Sequence, residues 1–203
     1  MNCFGTFSRD GLTGLECRGR CALVVGVGRI GGEIVAVAKG LGMVVRGVDP
    51  WRRVKGFGYV SLAKGLPWAD VVFCACSLTE KTKAMLSYNT LRKARKGAIF
   101  VNVGRGEISP MEGLARLLSE GILGGISLDV FDEEPSLAAS LRARRVDANI
   151  RRMLKLKDQD NVVFTPHNAF NTQEALETKA RLSAEAVEYF LRHGTFPHPV
   201  PGA

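Results

Sequence analysis

Residues 24–47, VVGVGRIGGEIVAVAKGLGMVVRG, give the clearest indication of the fold. This stretch contains an apolar run, a turn with the pattern Gly26-x-Gly28-x-x-Gly31, an amphipathic helix and a second apolar run, and Val48 and Asp49 follow it. Strand, glycine turn, helix, strand and acid in this order are typical of a dinucleotide-binding unit. A glycine turn alone would be weak evidence, but the flanking elements make the prediction specific.

Each of the three glycines answers a different physical need. Gly26 can adopt the turn that leaves the strand, Gly28 places no side chain between the backbone and a diphosphate, and Gly31 lets the helix lie close to the sheet. The N-terminus of the following helix carries unpaired N–H groups and a partial positive charge. The sequence therefore predicts that a diphosphate binds at this turn.

Asp49 indicates which dinucleotide is bound. It lies eighteen residues after Gly31, where a carboxylate can accept hydrogen bonds from both ribose hydroxyls of NAD and repel the 2′-phosphate of NADP. Arg52 and Arg53 follow closely and could bind that phosphate. We therefore expect NAD as the cofactor, with NADP the less favoured alternative.

Composition limits the class of partner. The 203 residues are 46% hydrophobic, enough for one domain or one domain plus part of another, and the formal net charge is +8. A basic chain can bind nucleic acid, but no aromatic side chains are interleaved for base stacking in the basic segment. We expect a solvated, partly helical surface insertion and no nucleic-acid partner. The basic residues are Arg142, Arg144, Arg145, Arg151, Arg152, Lys155 and Lys157.

The pattern of apolar residues argues against a membrane protein. No stretch approaches membrane-spanning length, and the first residues lack a basic segment followed by a long apolar run. We therefore expect a cytoplasmic protein.

The five cysteines are Cys3, Cys17, Cys21, Cys74 and Cys76. An odd number without a secretory signal predicts reduced thiols. Cys74 and Cys76 alternate in an apolar run and should share one face of a strand. A zinc site with Cys17 and Cys21 is conceivable, but neither spacing is C-x-x-C, so buried free cysteines and no metal are the preferred interpretation.

Alternating elements predict the architecture. Apolar runs predict strands at residues 22–25, 43–48, 71–75, 98–102, 125–128 and 162–165, and helical patterns cover 30–39, 111–120 and 172–192. Buried strands that alternate with helices predict parallel pairing through right-handed crossovers. The expected fold class is α/β, a doubly wound parallel sheet.

The last predicted helix has an apolar stripe with helical spacing, for which we expect a core role. Gly194 is a natural stop for that helix. The stripe consists of Leu176, Ala180, Ala184, Val187 and Leu191.

Residues capable of acid–base chemistry or anion binding follow several of the strands. Arg105 follows the run AIFVNVG, Asp129 and Glu134 lie in DVFDEEP, and His167 follows NVVFTP. Open α/β sheets bind their ligands outside the carboxyl ends of the strands, where these residues are expected.

These segments resemble the D-isomer-specific 2-hydroxyacid dehydrogenases. The resemblance is carried by VNVGRGEI at 101–108, LDVFDEEP at 128–135, TPHNAF at 165–170, ADVVFCACSLTEKT at 69–82 and the glycine turn. It runs in order from about residue 7 to about residue 188. The family transfers a hydride between NAD(H) and a small 2-hydroxy or 2-oxo acid, so the resemblance implies that activity here.

The resemblance also implies roles for individual residues. Arg105 matches the arginine that holds the substrate, His167 the catalytic acid/base, and Glu134, which precedes Pro135 as the family pattern requires, the acid paired with that histidine. Asp129 matches a residue near the nicotinamide carboxamide. The full set of expected cofactor-binding residues is Gly26, Gly28, Arg29, Ile30, Gly31, Asp49, Thr82, Val103, Gly104 and Asp129.

The domain organisation implied by the resemblance is a Rossmann NAD-binding domain at 1–170 and, at 171–203, a C-terminal helix and tail from an incomplete substrate domain. Met1 falls just before the linker helix of the family, so the N-terminal half of the substrate domain is expected to be absent. Relatives pair through the cofactor domain, which implies a homodimer. Two hypotheses remain open: a dehydrogenase, or a truncated, catalytically weak NAD-binding module that acts through association with a partner.

Overall fold

The computed structural model describes residues 13–51, 54–145 and 148–198. These residues form two compact units, of which the first ends at Phe164 and the second begins at Thr165. Cys3, Arg52 and Arg53 lie outside the described residues.

The first unit is built on a seven-stranded parallel sheet with the strand order β3-β2-β1-β4-β5-β6-β7. The doubly wound α/β fold is therefore confirmed. The strands are β1 (Cys21–Val25), β2 (Val44–Val48), β3 (Gly58–Tyr59), β4 (Val71–Cys74), β5 (Ala98–Asn102), β6 (Leu123–Leu128) and β7 (Val162–Phe164).

Helices connect the strands and cover the sheet. α1 packs on one face over Ala22, Val24 and Val45, and the larger core on the other face includes Leu23, Phe100 and neighbouring buried side chains. The helices are α1 (Arg29–Gly40), α2 (Leu62–Gly65), α3 (Tyr88–Leu91), α4 (Met111–Ser119), α5 (Glu134–Arg142), α6 (Ala148–Lys157) and α7 (Gln173–His193).

The predicted strands lie within one or two residues of the observed ones, because side chains buried on both faces leave continuous apolar runs. β3 was missed. It is only two residues long and pairs with β2 through Arg46 opposite Gly58 and Gly47 opposite Tyr59, so no apolar run marks it.

The basic segment begins at Arg142, the last residue of α5, and contains α6, which confirms the prediction that it is partly helical. Its cations are exposed where they are described, but Ile150 is only 2% exposed and Leu156 is also buried. Because α6 lies next to β7 and Leu156 belongs to the same core cluster as Val162 of β7, the segment is part of the packed fold and not wholly a solvated insertion.

The second unit contains α7. Its N-terminus is capped by Thr172, whose Oγ1 accepts a hydrogen bond from the Ala175 N–H at 3.1 Å, and it ends at Gly194 as predicted. The expected core role of its apolar stripe is wrong for this chain: no residue of α7 is buried, and Leu191 is 78% exposed. Among the described residues of the second unit, 165–198, α7 is the one helix, so they provide no second apolar layer on which the stripe could pack.

Within 13–51, 54–145 and 148–198, no helix is both long enough and apolar enough to span a bilayer.

Candidate functional site

The strand order creates a crevice at the carboxyl ends of the strands. From β1 the chain proceeds outward to β2 and β3, and it then returns to the other side of β1 to form β4. Ligands of doubly wound folds bind at such a switch point, outside the carboxyl ends of the strands. The glycine turn follows β1 here, and Cys76 lies two residues beyond β4.

The glycine turn is tightly built on its inner side and open on its outer side. Gly26 has a φ of +86°, and a Cβ at this position would lie 2.4 Å from the Cα of Cys76. A Cβ on Gly31 would lie 2.0 Å from the Gly26 carbonyl oxygen, which shows how closely α1 approaches the turn. At Gly28, by contrast, a Cβ would meet no atom within 4 Å.

The start of α1 fits an anionic group. No side chain caps this helix, and its first turn contains no acidic residue. Gly28, Arg29 and Ile30 are all exposed, so the first N–H groups of the helix face open space with their partial positive charge. The residues present therefore fit the diphosphate of NAD.

Asp49 lies at the end of β2 and is fixed to the glycine turn. Its Oδ2 accepts a hydrogen bond from the N–H of Val27 at 2.8 Å, and its Oδ1 accepts one from the N–H of Trp51 at 2.7 Å. Each carboxylate oxygen can accept two hydrogen bonds. The carboxylate can thus hold its orientation and still accept hydrogen bonds from ribose hydroxyls.

Thr82 closes the loop that follows β4. Its Oγ1 donates a hydrogen bond to the Ser77 carbonyl at 2.7 Å and accepts one from the Thr79 N–H at 2.8 Å. These bonds shape the loop beside the crevice, and direct contact between Thr82 and a cofactor stays a prediction.

Asn102, which the sequence reasoning missed, organises the loop that carries Arg105. This fully buried side chain accepts a hydrogen bond from the Gly104 N–H at 2.9 Å and donates to the Arg105 carbonyl at 3.0 Å and to Ser109 Oγ at 2.8 Å. The available signal was a polar residue within the apolar run before Gly104-Arg105.

Arg105 itself is exposed. One Nη donates to the Gly104 carbonyl oxygen at 2.7 Å. The preceding Val103 donates its N–H to the Cys74 carbonyl at 3.0 Å, which ties this loop to the end of β4. The guanidinium is thus displayed at the carboxyl edge of the sheet.

The loop after β6 packs against the Arg105 loop. A Cβ on Gly106 would lie 1.9 Å from the Phe131 carbonyl carbon, so only glycine fits there. Asp129 is buried and donates its N–H to the Asn102 carbonyl at 3.0 Å. Glu134 begins α5, and its Oε1 accepts a hydrogen bond from the Phe131 N–H at 2.9 Å. The segment that carries Asp129 and Glu134 therefore packs directly against the loop that carries Arg105.

His167 belongs to the second unit, three residues after the end of β7. Its backbone has a φ of +50°, its N–H donates to the Thr165 carbonyl at 3.0 Å, and its ring meets Phe170 edge-on at 5.8 Å. Non-glycine residues in the left-handed region are uncommon and cluster at functional sites.

Four of the five cysteines are described, and all four are free thiols. Cys74 is buried as expected, but Cys17 is exposed and Cys21 and Cys76 are only partly buried. Within the described part of the chain, no three His, Cys, Asp or Glu side chains are grouped so that they could hold a metal ion.

Comparison with known proteins places this geometry in a family. The family model described as D-isomer specific 2-hydroxyacid dehydrogenase, NAD binding domain, matches residues 4–169. D-3-phosphoglycerate dehydrogenase 2, chloroplastic, of Arabidopsis thaliana is 35% identical over 193 residues, which are 93% of this chain and 29% of that protein. Glyoxylate reductase of Korarchaeum cryptofilum is 34% identical over 186 residues, 89% of this chain and 52% of that protein.

A solved structure of the same family has a similar fold. D-lactate dehydrogenase from Aquifex aeolicus, in complex with NAD and lactic acid, has a TM-score of 0.87 and 27% identity, covering 97% of this chain and 63% of that one. The chain spans about half or less of the length of these curated relatives. It belongs to the D-isomer-specific 2-hydroxyacid dehydrogenases, and the matched region is their NAD-binding domain.

Proposed function

We propose that the chain catalyses reversible hydride transfer between NAD(H) and a small 2-oxo or 2-hydroxy acid. The observation that carries this proposal is the open, uncapped glycine turn at the same strand-end edge as the exposed guanidinium of Arg105. A cofactor diphosphate and a substrate carboxylate are both anions, and this edge offers a binding group for each.

The substrate class follows from the relatives and from Arg105. The relatives include a glyoxylate reductase, D-3-phosphoglycerate dehydrogenases and the D-lactate dehydrogenase of Escherichia coli. A planar guanidinium can bind the carboxylate and the carbonyl oxygen of a 2-oxo acid through two parallel hydrogen bonds, whereas lysine offers a single ammonium group. Arg105 thus orients the acid, and Asn102 holds the Arg105 backbone in place.

Proton transfer is assigned to His167 through the family resemblance. When bound, NADH supplies the hydride, and the substrate oxygen must gain a proton in the same reaction. An imidazole can hold that proton at a ring nitrogen and donate it to the oxygen, then accept it back in the oxidative direction. Glu134 is the proposed carboxylate partner that stabilises the protonated ring.

The remaining proposals concern cofactor choice, assembly and organisation. Asp49 favours NAD over NADP. We propose a homodimer through the cofactor domain, by analogy with the family, and a monomer in sedimentation would refute it. Residues 1–170 are assigned to the cofactor domain and residues 171–203 to the substrate domain. A cytoplasmic location and the lack of a nucleic-acid partner stay predictions from the sequence.

A turnover assay tests the proposal. NADH absorbance is followed with glyoxylate, pyruvate and hydroxypyruvate for the wild type, His167→Ala and the control His193→Ala, which changes another histidine of the second unit. Loss of a general acid lowers kcat by about 100-fold or more, so His167→Ala should lose activity and His193→Ala should keep it. If His167→Ala retains the same rate of NADH oxidation as an active His193→Ala, His167 is not the proton donor. NADH binding without turnover of any 2-oxo acid would refute the proposed activity.

A further inference from the structure

Two thiols that the proposed hydride transfer does not use meet at the end of β4. The sulfur atoms of Cys74 and Cys76 are 3.8 Å apart, Cys74 is buried and Cys76 is half-buried. Between them, the Ala75 N–H donates to the Val25 carbonyl at 2.8 Å, which continues the pairing with β1 past the end of the strand.

Cys76 also forms part of the cofactor crevice. A Cβ on Gly26 would lie 2.4 Å from the Cα and 2.6 Å from the Cβ of Cys76, so this cysteine lies directly against the glycine turn. A Cβ on Gly104 would lie 2.9 Å from the Cys76 carbonyl oxygen. Cys76 is therefore held between the predicted diphosphate turn and the loop that carries Arg105.

We propose that Cys74 and Cys76 are a redox modification site: a peroxide converts the pair to a reversible disulfide, and the disulfide weakens NAD(H) binding. Disulfide formation does not depend on hydride transfer, whereas its effect on binding rests on the proposed cofactor site.

The two thiols differ in acidity, which assigns their roles. The hydrogen bond between the two thiols lowers the pKa of Cys76 below its usual value, and the same bond, together with burial, raises the pKa of Cys74. Because the thiolate is the nucleophile, Cys76 reacts first. Cys74 keeps its proton and is the resolving thiol.

The reaction balances in two steps. The Cys76 thiolate attacks one oxygen of hydrogen peroxide, the S–O bond forms, the O–O bond breaks, and hydroxide leaves and takes up a proton to become water. The Cys74 sulfur then attacks the sulfenic sulfur, the S–S bond forms, and the S–O bond breaks with release of a second water. Two thiols are oxidised by two electrons and one peroxide is reduced. A dithiol reductant reverses the change.

The disulfide should disturb the crevice because the two sulfur atoms must approach from 3.8 Å to about 2.05 Å. In extended chain, alternate Cα atoms are separated by about 6.6–6.8 Å, at the upper limit of the roughly 4.4–6.8 Å that a disulfide accepts. Because this Cα spacing leaves little slack, the approach of the sulfur atoms strains the Cys76 backbone, which lies against Gly26. The turn that receives the diphosphate then changes shape.

Peptide mass and NADH titration test the two parts of the proposal separately. Trypsin releases residues 65–81 as one peptide that contains Cys74 and Cys76 and no other cysteine. After treatment with hydrogen peroxide, this peptide should be two hydrogens lighter and take up no iodoacetamide, whereas the reduced peptide takes up two groups. The Kd for NADH should rise about tenfold or more and return after dithiothreitol.

Variants separate this pair from other thiols, each compared with its own untreated form. Cys17→Ser should keep the peroxide response, because Cys17 is an exposed cysteine away from the crevice. Cys76→Ser and Cys74→Ala should lose it. The wild-type peptide mass gives the answer on the disulfide even where a variant folds poorly.

Three results would overturn the proposal. The first is a peroxide-treated peptide that still takes up two alkyl groups, and the second is oxidation of Cys76 to a sulfonic acid with no disulfide. The third is a complete disulfide with unchanged NADH affinity. If the reduced protein does not bind NADH, the cofactor site itself is refuted, and the effect of the disulfide on binding with it.

Discussion

Gly28→Ala separates folding from cofactor binding at the glycine turn. A Cβ at Gly28 meets no atom within 4 Å, and the residue's φ of −85° lies outside the left-handed region, although its ψ of −148° lies just beyond the extended region that alanine favours. The free energy of unfolding should therefore fall by no more than about 1 kcal/mol. The methyl group projects from the surface on which the diphosphate is expected to lie, so NADH binding should weaken.

The size of the binding loss follows from hydrogen-bond geometry. A methyl carbon extends about 1.5 Å from Cα, whereas an N–H···O bond tolerates only about 2.7–3.2 Å between heavy atoms. Moving the diphosphate away by such a distance removes at least one hydrogen bond to a charged group, worth about 1.5–3 kcal/mol. The Kd for NADH should rise about 10- to 150-fold.

Two other glycine-to-alanine changes in α1 serve as controls. Gly40→Ala also places its Cβ in open space, but at the opposite end of the helix, and should keep both stability and NADH affinity. Gly31→Ala places its Cβ 2.0 Å from the Gly26 carbonyl oxygen and should lose stability by about 1–3 kcal/mol through overpacking. NADH fluorescence titration and urea unfolding of all three variants provide the comparison. Wild-type NADH affinity in a stable Gly28→Ala protein would refute the placement of the diphosphate on this turn.

Three further changes test the site and the packing. Asp49→Asn removes the charge that repels a 2′-phosphate, so the affinity for NADPH relative to NADH should rise about tenfold; equal titration ratios before and after would contradict the assignment of Asp49. Asn102→Ala leaves several buried partners unpaired and should lower the free energy of unfolding by about 2 kcal/mol or more. The exposed control Asn161→Ala loses one hydrogen bond to the Gly124 carbonyl and should lower it by about 1 kcal/mol or less. Similar losses in the two variants would argue against the organising role of Asn102. Leu191→Ala should change the free energy of unfolding by no more than about 0.5 kcal/mol, because the side chain is 78% exposed. Leu117 is fully buried, so Leu117→Ala should lower it by about 2–5 kcal/mol. A large loss of stability for Leu191→Ala in urea unfolding would show that the apolar stripe of α7 is covered.

Features governed by local physics were predictable from the sequence. The glycine turn is predictable because the sharp turn after β1 and the close approach of α1 require glycines at a fixed spacing. The buried strands are predictable because they leave uninterrupted apolar runs. Asp49 directly follows β2, as the sequence predicts, but its hydrogen bond to Val27 joins the segments that follow two different strands and has no signature in the spacing.

Features that depend on tertiary neighbours were not predictable. The role of Asn102 requires the loop from Gly104 to Ser109 to fold back over one side chain, and the position of Cys76 against Gly26 follows from β4 pairing with β1. The apolar stripe of α7 shows that a correctly predicted helix can still have an incorrectly predicted burial. Helical periodicity correctly predicts the helix, but it does not reveal whether a second apolar layer exists to bury its leucines.

The bond between Asp49 and Val27 restricts how coenzyme preference could be re-engineered. The Asp49 carboxylate, which we propose faces the adenosine ribose, also accepts the hydrogen bond of the Val27 N–H. Replacing it to admit a phosphorylated ribose should therefore also loosen the turn that we propose binds the diphosphate. A successful redesign would need a substitute acceptor for that amide, for example a serine or threonine hydroxyl at position 49, combined with a cation elsewhere. Evolution of one preference into the other along this scaffold would then require at least two coordinated exchanges.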